Sequence, residues 1–194
     1  MVFPIAAILS TAAALLAGCA SSPPSQFYTL ADASPASASQ ASPGATPTIR
    51  IAAVHIPPML DRPEITRRSA GDQLEISGTQ RWSAPLDEMV QEILTRDLLE
   101  RLPSGKVILP SAPVPSGTEA VVVNILQFQS DIGGSVVFEG SWSVVPQGAA
   151  APALVRNFRY TASASPAGIG EEVGAMSTLL GQLADDIARN LPAP

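Results

Sequence analysis

A chain of 194 residues, 46% hydrophobic and 14% charged, can build one globular core but hardly two. A formal net charge of −6 without a basic stripe argues against nucleic acid, whose phosphates are met by clustered Lys and Arg. One cysteine and one histidine exclude an internal disulfide framework and a zinc site of the usual ligand number, so neither a metal nor a free cofactor is expected.

The chain opens on an apolar run, residues 2–16. At about fifteen residues it falls short of the roughly twenty that a helix needs to cross a bilayer. Small residues follow it, so residues 1–18 read as a signal peptide, with an uncleaved anchor as the alternative. No Lys or Arg precedes the run, which leaves the α-amino group as its positive end. Leu16-Ala17-Gly18-Cys19 resembles the lipobox of bacterial lipoproteins. The resemblance implies cleavage between Gly18 and Cys19, diacylglycerol on the Cys19 sulfur and an N-acyl (palmitate-type) chain on its new amino group. The other reading is ordinary cleavage near Ala17. Two or three acyl chains hold a protein on a membrane far more firmly than one. Lipoproteins with Asp after the cysteine tend to stay in the inner membrane, whereas Ala20 and Ser21 imply the outer membrane, on its periplasmic face.

Residues 19–26 then form a short tether, about 23 Å long from Cys19 when extended, and the folded domain is expected over 27–194. Phe27-Tyr28-Thr29-Leu30 reads as a brief strand. The Ala/Ser/Pro-rich stretch 31–47 lacks apolar periodicity and reads as a disordered loop. Alternation predicts a strand over 48–56, halted by Pro57-Pro58. Residues 64–68 and 73–77 suit a hairpin about Ala70-Gly71. Pro85 then opens a helix, with Asp87 and Glu88 in its first turn, an apolar stripe of Leu86, Val90, Ile93, Leu94, Leu98 and Leu102, and a stop at Pro103 and Gly105. A short strand is expected over 106–110. Residues 120–128 read as a central strand covered on both faces, because their first half is apolar throughout. Asp131-Ile132-Gly133-Gly134 supplies a turn into a strand whose Val136, Phe138, Gly140, Trp142 and Val144 share one face. A strand over 154–162 and a final helix after Pro166 follow. That helix carries Val173, Met176, Leu180, Leu183 and Ile187 at helical spacing, a stripe too short for a coiled-coil seam and suited to packing on a sheet. The fold class that results is α/β (or α+β): a single domain, in two or three layers, with a mixed, largely antiparallel sheet packed against two main helices.

Leu16-Ala17-Gly18-Cys19 with its short spacer to Phe27-Tyr28-Thr29-Leu30, residues 51–60 followed by Asp61-Arg62-Pro63-Glu64-Ile65, and Gln80-Arg81-Trp82-Ser83-Ala84-Pro85-Leu86 at the head of the helix together resemble the ABC-type transport auxiliary lipoproteins. The match is closest over 49–102, and from 111 to 194 it rests on element order. The resemblance implies a non-enzymatic accessory subunit of a system that moves lipid or other hydrophobic cargo between membranes and supports membrane integrity. Its implied partner is a mammalian-cell-entry-type protein spanning the periplasm. A homo-oligomer stays open. The alternative is a free-standing envelope lipoprotein that holds a lipid in its own cavity of several hundred Å3 between sheet and helices.

No catalytic constellation emerges. Asp87-Glu88, Glu171-Glu172 and Asp185-Asp186 are sequence neighbours that diverge on a helix, and are expected on solvated faces. His55 has no nucleophile motif to serve and reads as structural. The glycines at 133–134 and 168–170 lack phosphate-loop context and suffice as turns. Arg62, Arg67 and Arg68 with Asp61 and Glu64 make the densest charged patch, suited to a partner, to headgroups or simply to water. Trp82, just ahead of the helix, is either packed on the core or an exposed interface anchor.

Overall fold

The alternating segments become strands and the two striped segments become helices in the computed structural model, which describes residues 23–33, 46–69, 71, 73–165 and 168–192. In chain order these are β1 (Gln26–Tyr28), β2 (Ile49–His55), β3 (Glu64–Arg68), β4 (Leu74–Trp82), α1 (Leu86–Arg101), β5 (Glu119–Asp131), β6 (Ser135–Val145), β7 (Leu154–Ser163) and α2 (Ile169–Asn190). The expected signal peptide, Gly18 and Cys19 lie outside the described residues. Among the described residues no helix is long and apolar enough to cross a membrane.

The strands form one seven-stranded mixed sheet in the order β1-β4-β3-β5-β6-β7, with β2 also on β5. One edge of β5 is shared: β2 pairs with its first half and β3 with Ser130 and Asp131, both in parallel. The other edge pairs antiparallel with β6, which pairs antiparallel with β7, and these are the longest ladders. β3 and β4 form the expected antiparallel hairpin, and β1 adds to β4 in parallel.

Both helices cover one face of the sheet. Leu86, Val90, Ile93, Leu94 and Leu98 of α1 and Val173, Met176, Leu180, Leu183 and Ile187 of α2 are buried there, against Val121, Val123, Phe128, Phe138 and Trp142. Phe138 lies at the centre of an aromatic group, with ring centroids 4.3 Å from Phe128 and 4.8 Å from Phe158. Among the described residues the architecture therefore has two layers, and the first half of β5 is not covered twice. On its outer face Asn124 and Leu126 are exposed and Val122 is half-buried. Val122 there has Ser143 as its cross-strand neighbour, and no further helix covers it among the described residues. A bulge between Ile125 and Gln127 turns Leu126 outward. Beside it the strands approach so closely that a Cβ on Gly140 would lie 2.2 Å from the Asn124 carbonyl oxygen.

Two further expectations change. Residues 106–110 form no strand. Ile49 N donates to Lys106 O and Ile108 N to Ile49 O, making the single bridge Ile49–Val107, because Pro103 and Pro110 leave too little free backbone for a ladder. The loop expected over 31–47 is fixed at both described ends. Ala31 N donates to Ser177 Oγ and Ala33 N to Asp97 Oδ1, while Thr46 is buried. Residues 34–45 lie outside the described residues.

Candidate functional site

Among the described residues the space enclosed between sheet and helices is small. Where sheet and helices meet among Leu60, Trp82, Phe128, Val173 and Met176, the enclosed space is about 10 Å3, room for one water at most. Close packing of the aromatic group and the helix stripes fills the place between sheet and helices where the alternative reading put a lipid.

An open groove of about 320 Å3 lies at the head of α1, lined by Asp61, Arg62, Pro63, Trp82, Ser83, Ala84 and Pro85. The local chain explains it. Pro57 and Pro58 end β2, Leu60 N donates to Pro57 O, and Trp82 N donates to Pro63 O, so the turn is sewn to the end of β4. Ser83 N donates to Tyr28 O, tying in β1. Trp82 is only 6% exposed. Its ring belongs to the core, as the first of its two readings had it, and only its rim borders the groove. Arg62 Nε donates to Glu64 Oε2 at 3.2 Å, and Arg81 Nη2 lies 3.6 Å from Glu64 Oε1. The hydrogen bond from Arg62 holds the Glu64 carboxyl below its ordinary range, aided by the charge of Arg81.

The four residues singled out as partner contacts are thus not one surface. Arg62 and Trp82 border the groove, and Arg68 is exposed at the end of β3. Arg67 turns inward, donating from Nη2 to Glu172 Oε1 at 2.7 Å and from Nε to Oε2 at 3.1 Å. Ser130 Oγ donates to the same carboxylate. Glu172 is therefore 2% exposed, in the first turn of α2, and is not on a solvated face.

Asp185 departs from expectation in the same way. At 8% exposure it accepts from Arg101 Nε at 2.6 Å. Arg101 also donates to the carbonyls of Asp97, Ala33 and Gly181. Burial pushes the Asp97 carboxyl up to about 6, against the opposing pull of the Ala33 N–H and of Arg101. Its Oδ2 is buried without a hydrogen-bond partner among the described residues. Asp186 accepts from Trp142 Nε1 at 2.9 Å. His55 is exposed at the end of β2, and no group of three or more metal-ligating side chains occurs among the described residues. The signal for the buried charges was present in the spacing: Asp97 and Arg101 flank Leu98 on the buried stripe of α1, and Glu172 shares a face with Met176, Leu179 and Leu183.

The family model for the ABC-type transport auxiliary lipoprotein component matches residues 28–188. The intermembrane transport lipoprotein PqiC of Escherichia coli (strain K12) is 25% identical over 185 residues, covering 95% of this chain and 96% of the relative. The protein of the same name from Shigella flexneri matches to the same extent. Among solved structures, one of an uncharacterized protein is similar with a TM-score of 0.72 at 22% identity, over 86% of this chain and 98% of its own. A protein from Xanthomonas campestris gives a TM-score of 0.67 at 17% identity, over 84% and 92%. These structural likenesses carry the α/β fold.

Proposed function

This chain belongs to the ABC-type transport auxiliary lipoprotein family, and from that membership we propose that it is the lipid-anchored accessory subunit of an intermembrane transport system. The reading is carried by the end-to-end match to PqiC, a relative whose name states intermembrane transport. Cys19 is the lipid site, bearing diacylglycerol and an N-acyl chain. The domain stands on the periplasmic face of the outer membrane and docks a mammalian-cell-entry-type protein that spans the periplasm. The cargo is lipid or another hydrophobic molecule. With an interior cavity of about 10 Å3, the chain acts on cargo transport through surface contacts, and the groove bordered by Arg62 and Trp82 is the contact we assign to the partner. Anchoring raises the effective concentration of two proteins that meet near one surface.

The test is an affinity pull-down of the lipidated protein from cross-linked native envelopes, with Cys19→Ala as control, followed by mass spectrometry. The expected result is enrichment of a periplasm-spanning transport protein that weakens without the anchor. Recovery of no such protein from either form would refute the adaptor role.

A further inference from the structure

The end of the sheet formed by the β3–β4 hairpin and the β5–β6 turn exposes apolar side chains beside a cation. Ile76 on β4 and Ile132 in the turn are each 47% exposed. Ile132 N donates to the Arg68 carbonyl at 3.0 Å, and Ile76 is opposite Thr66, two residues before Arg68 on β3. Arg68 faces Leu74 across the hairpin and Asp131 on β5. Its side chain is exposed and in no ion pair among the described residues. The opposite end of the sheet also exposes apolar residues, Leu109 and Val114, so exposure alone does not distinguish the ends.

The direction of β1 does. β1 runs parallel to β4 with Gln26 opposite Gln80, so the chain enters β1 from the Leu74 end of β4. At about 3.3 Å per residue the rise from Gln80 to Leu74 is about 20 Å. The stretch from Gln26 back to Cys19 reaches about 23 Å when extended. An extended tether of that reach, if it continued the line of β1, would bring Cys19 level with the hairpin. We infer that this end of the sheet rests on the bilayer that holds Cys19, with Ile76 and Ile132 entering the headgroup boundary and Arg68 meeting lipid phosphates. Interfacial surfaces combine apolar side chains with cations in this way. The inference rests on lipidation of Cys19, and it leaves the groove at the head of α1 on the side of the domain away from the membrane, open to a periplasmic partner.

The single native cysteine is consumed by the lipid, so an introduced cysteine is a unique label site. Ile76→Cys, Ile132→Cys and Val114→Cys are made in the full lipidated chain, nitroxide-labelled, and reconstituted in phosphatidylethanolamine–phosphatidylglycerol vesicles. Collision with oxygen and with a water-soluble nickel chelate is then measured. Labels at 76 and 132 should collide several-fold less with the chelate than the label at 114, and more with oxygen. Flotation and intact mass report the anchor separately. Protein that carries lipid and floats, yet shows equal chelate access at all three sites, overturns the orientation alone. Protein without lipid that stays in the aqueous fraction overturns the anchor and the orientation with it.

Discussion

Replacing Arg101 by methionine keeps a long unbranched stem and removes the charge. The Arg101 side chain is 1% exposed, and its Nε–Asp185 contact is 2.6 Å long. The substitution strands two buried carboxylates, Asp185 and Asp97, and the carbonyls of Ala33 and Gly181 lose a donor. Breaking a buried pair from one side costs about 3–5 kcal/mol. Orphaned polar groups cost about 1–3 kcal/mol each, but these terms share atoms and do not add, so a loss of about 4 kcal/mol is expected. Domains of this kind have total stabilities of about 5–15 kcal/mol, so the variant approaches the edge of folding. With a urea slope of about 2 kcal/mol/M, its midpoint falls by about 2 M. Far-UV circular dichroism during urea titration, in a Cys19→Ala background, reads this directly. The triple replacement Arg101→Met, Asp97→Leu, Asp185→Leu should regain most of the loss, because an apolar set of similar volume often matches a buried ion pair. A loss below about 1 kcal/mol for Arg101→Met, or a triple variant no better than the single one, would refute the reasoning.

Asp97 adds a pH dependence. Its carboxyl rises from an ordinary 3.8 to about 6 in the fold, so the folded state binds its proton more tightly, and stability from this group falls as pH rises from about 4 to about 6, by up to about 3 kcal/mol. Asp97→Asn lacks that loss; its stability relative to the parent should improve over the same window in urea titrations at stepped pH, and a pH-independent difference would sink the idea. Gly140→Ala should lower the thermal midpoint by about 4–8 °C, from about 2 kcal/mol of overpacking where the added Cβ meets the Asn124 carbonyl oxygen; an unchanged midpoint in scanning calorimetry would show that the bulge can relax. Trp142→Phe removes the indole N–H that Asp186 accepts at 2.9 Å and should cost about 1 kcal/mol or more for the hydrogen bond, measured by the same urea titration; no loss would mean that Asp186 finds another donor.

Periodicity carried most of the fold. The stripe from Leu86 to Leu98 and the alternation from Val136 to Val144 each sit on the buried side where their spacing puts them. What periodicity cannot carry is pairing between distant strands. That β1 joins β4 in parallel, and that β2 and β3 share one edge of β5, depends on contacts between segments far apart in sequence. Two of the four candidate contact residues, Arg62 and Trp82, do border a groove. Arg67 was misread for the same reason as Glu172 and Asp185. A charged residue is assigned to solvent unless its partner is known, and the partners here lie on other elements. Adjacent acids divide by direction on a helix: Glu172 faces Arg67 while Glu171 is exposed.

The buried ion pairs that α2 makes with other elements, Glu172 with Arg67 and Asp185 with Arg101, explain how a two-layer domain with so plain a core keeps one arrangement. The stripe on α2 is built from Val, Met, Leu and Ile at regular spacing, and moving such a helix by one turn along a sheet would still present apolar side chains to it. Glu172 and Asp185 remove that freedom. Glu172 fits only where Arg67 and Ser130 converge at the β3–β5 junction, and Asp185 only where Arg101 projects from α1. A one-turn shift, about 5.4 Å, would take both acids from their arginines in a buried setting, at a cost of several kcal/mol for each acid. Arg101 also donates to Ala33 O, in the segment between β1 and β2, so the register of the helices is fastened to the chain next to β1. In the adaptor role proposed above, the groove has to be held at a fixed place relative to the proposed anchor at Cys19. The buried charges provide that fixity, and for this reason the Arg101 variant should impair partner capture at temperatures where the domain is still folded.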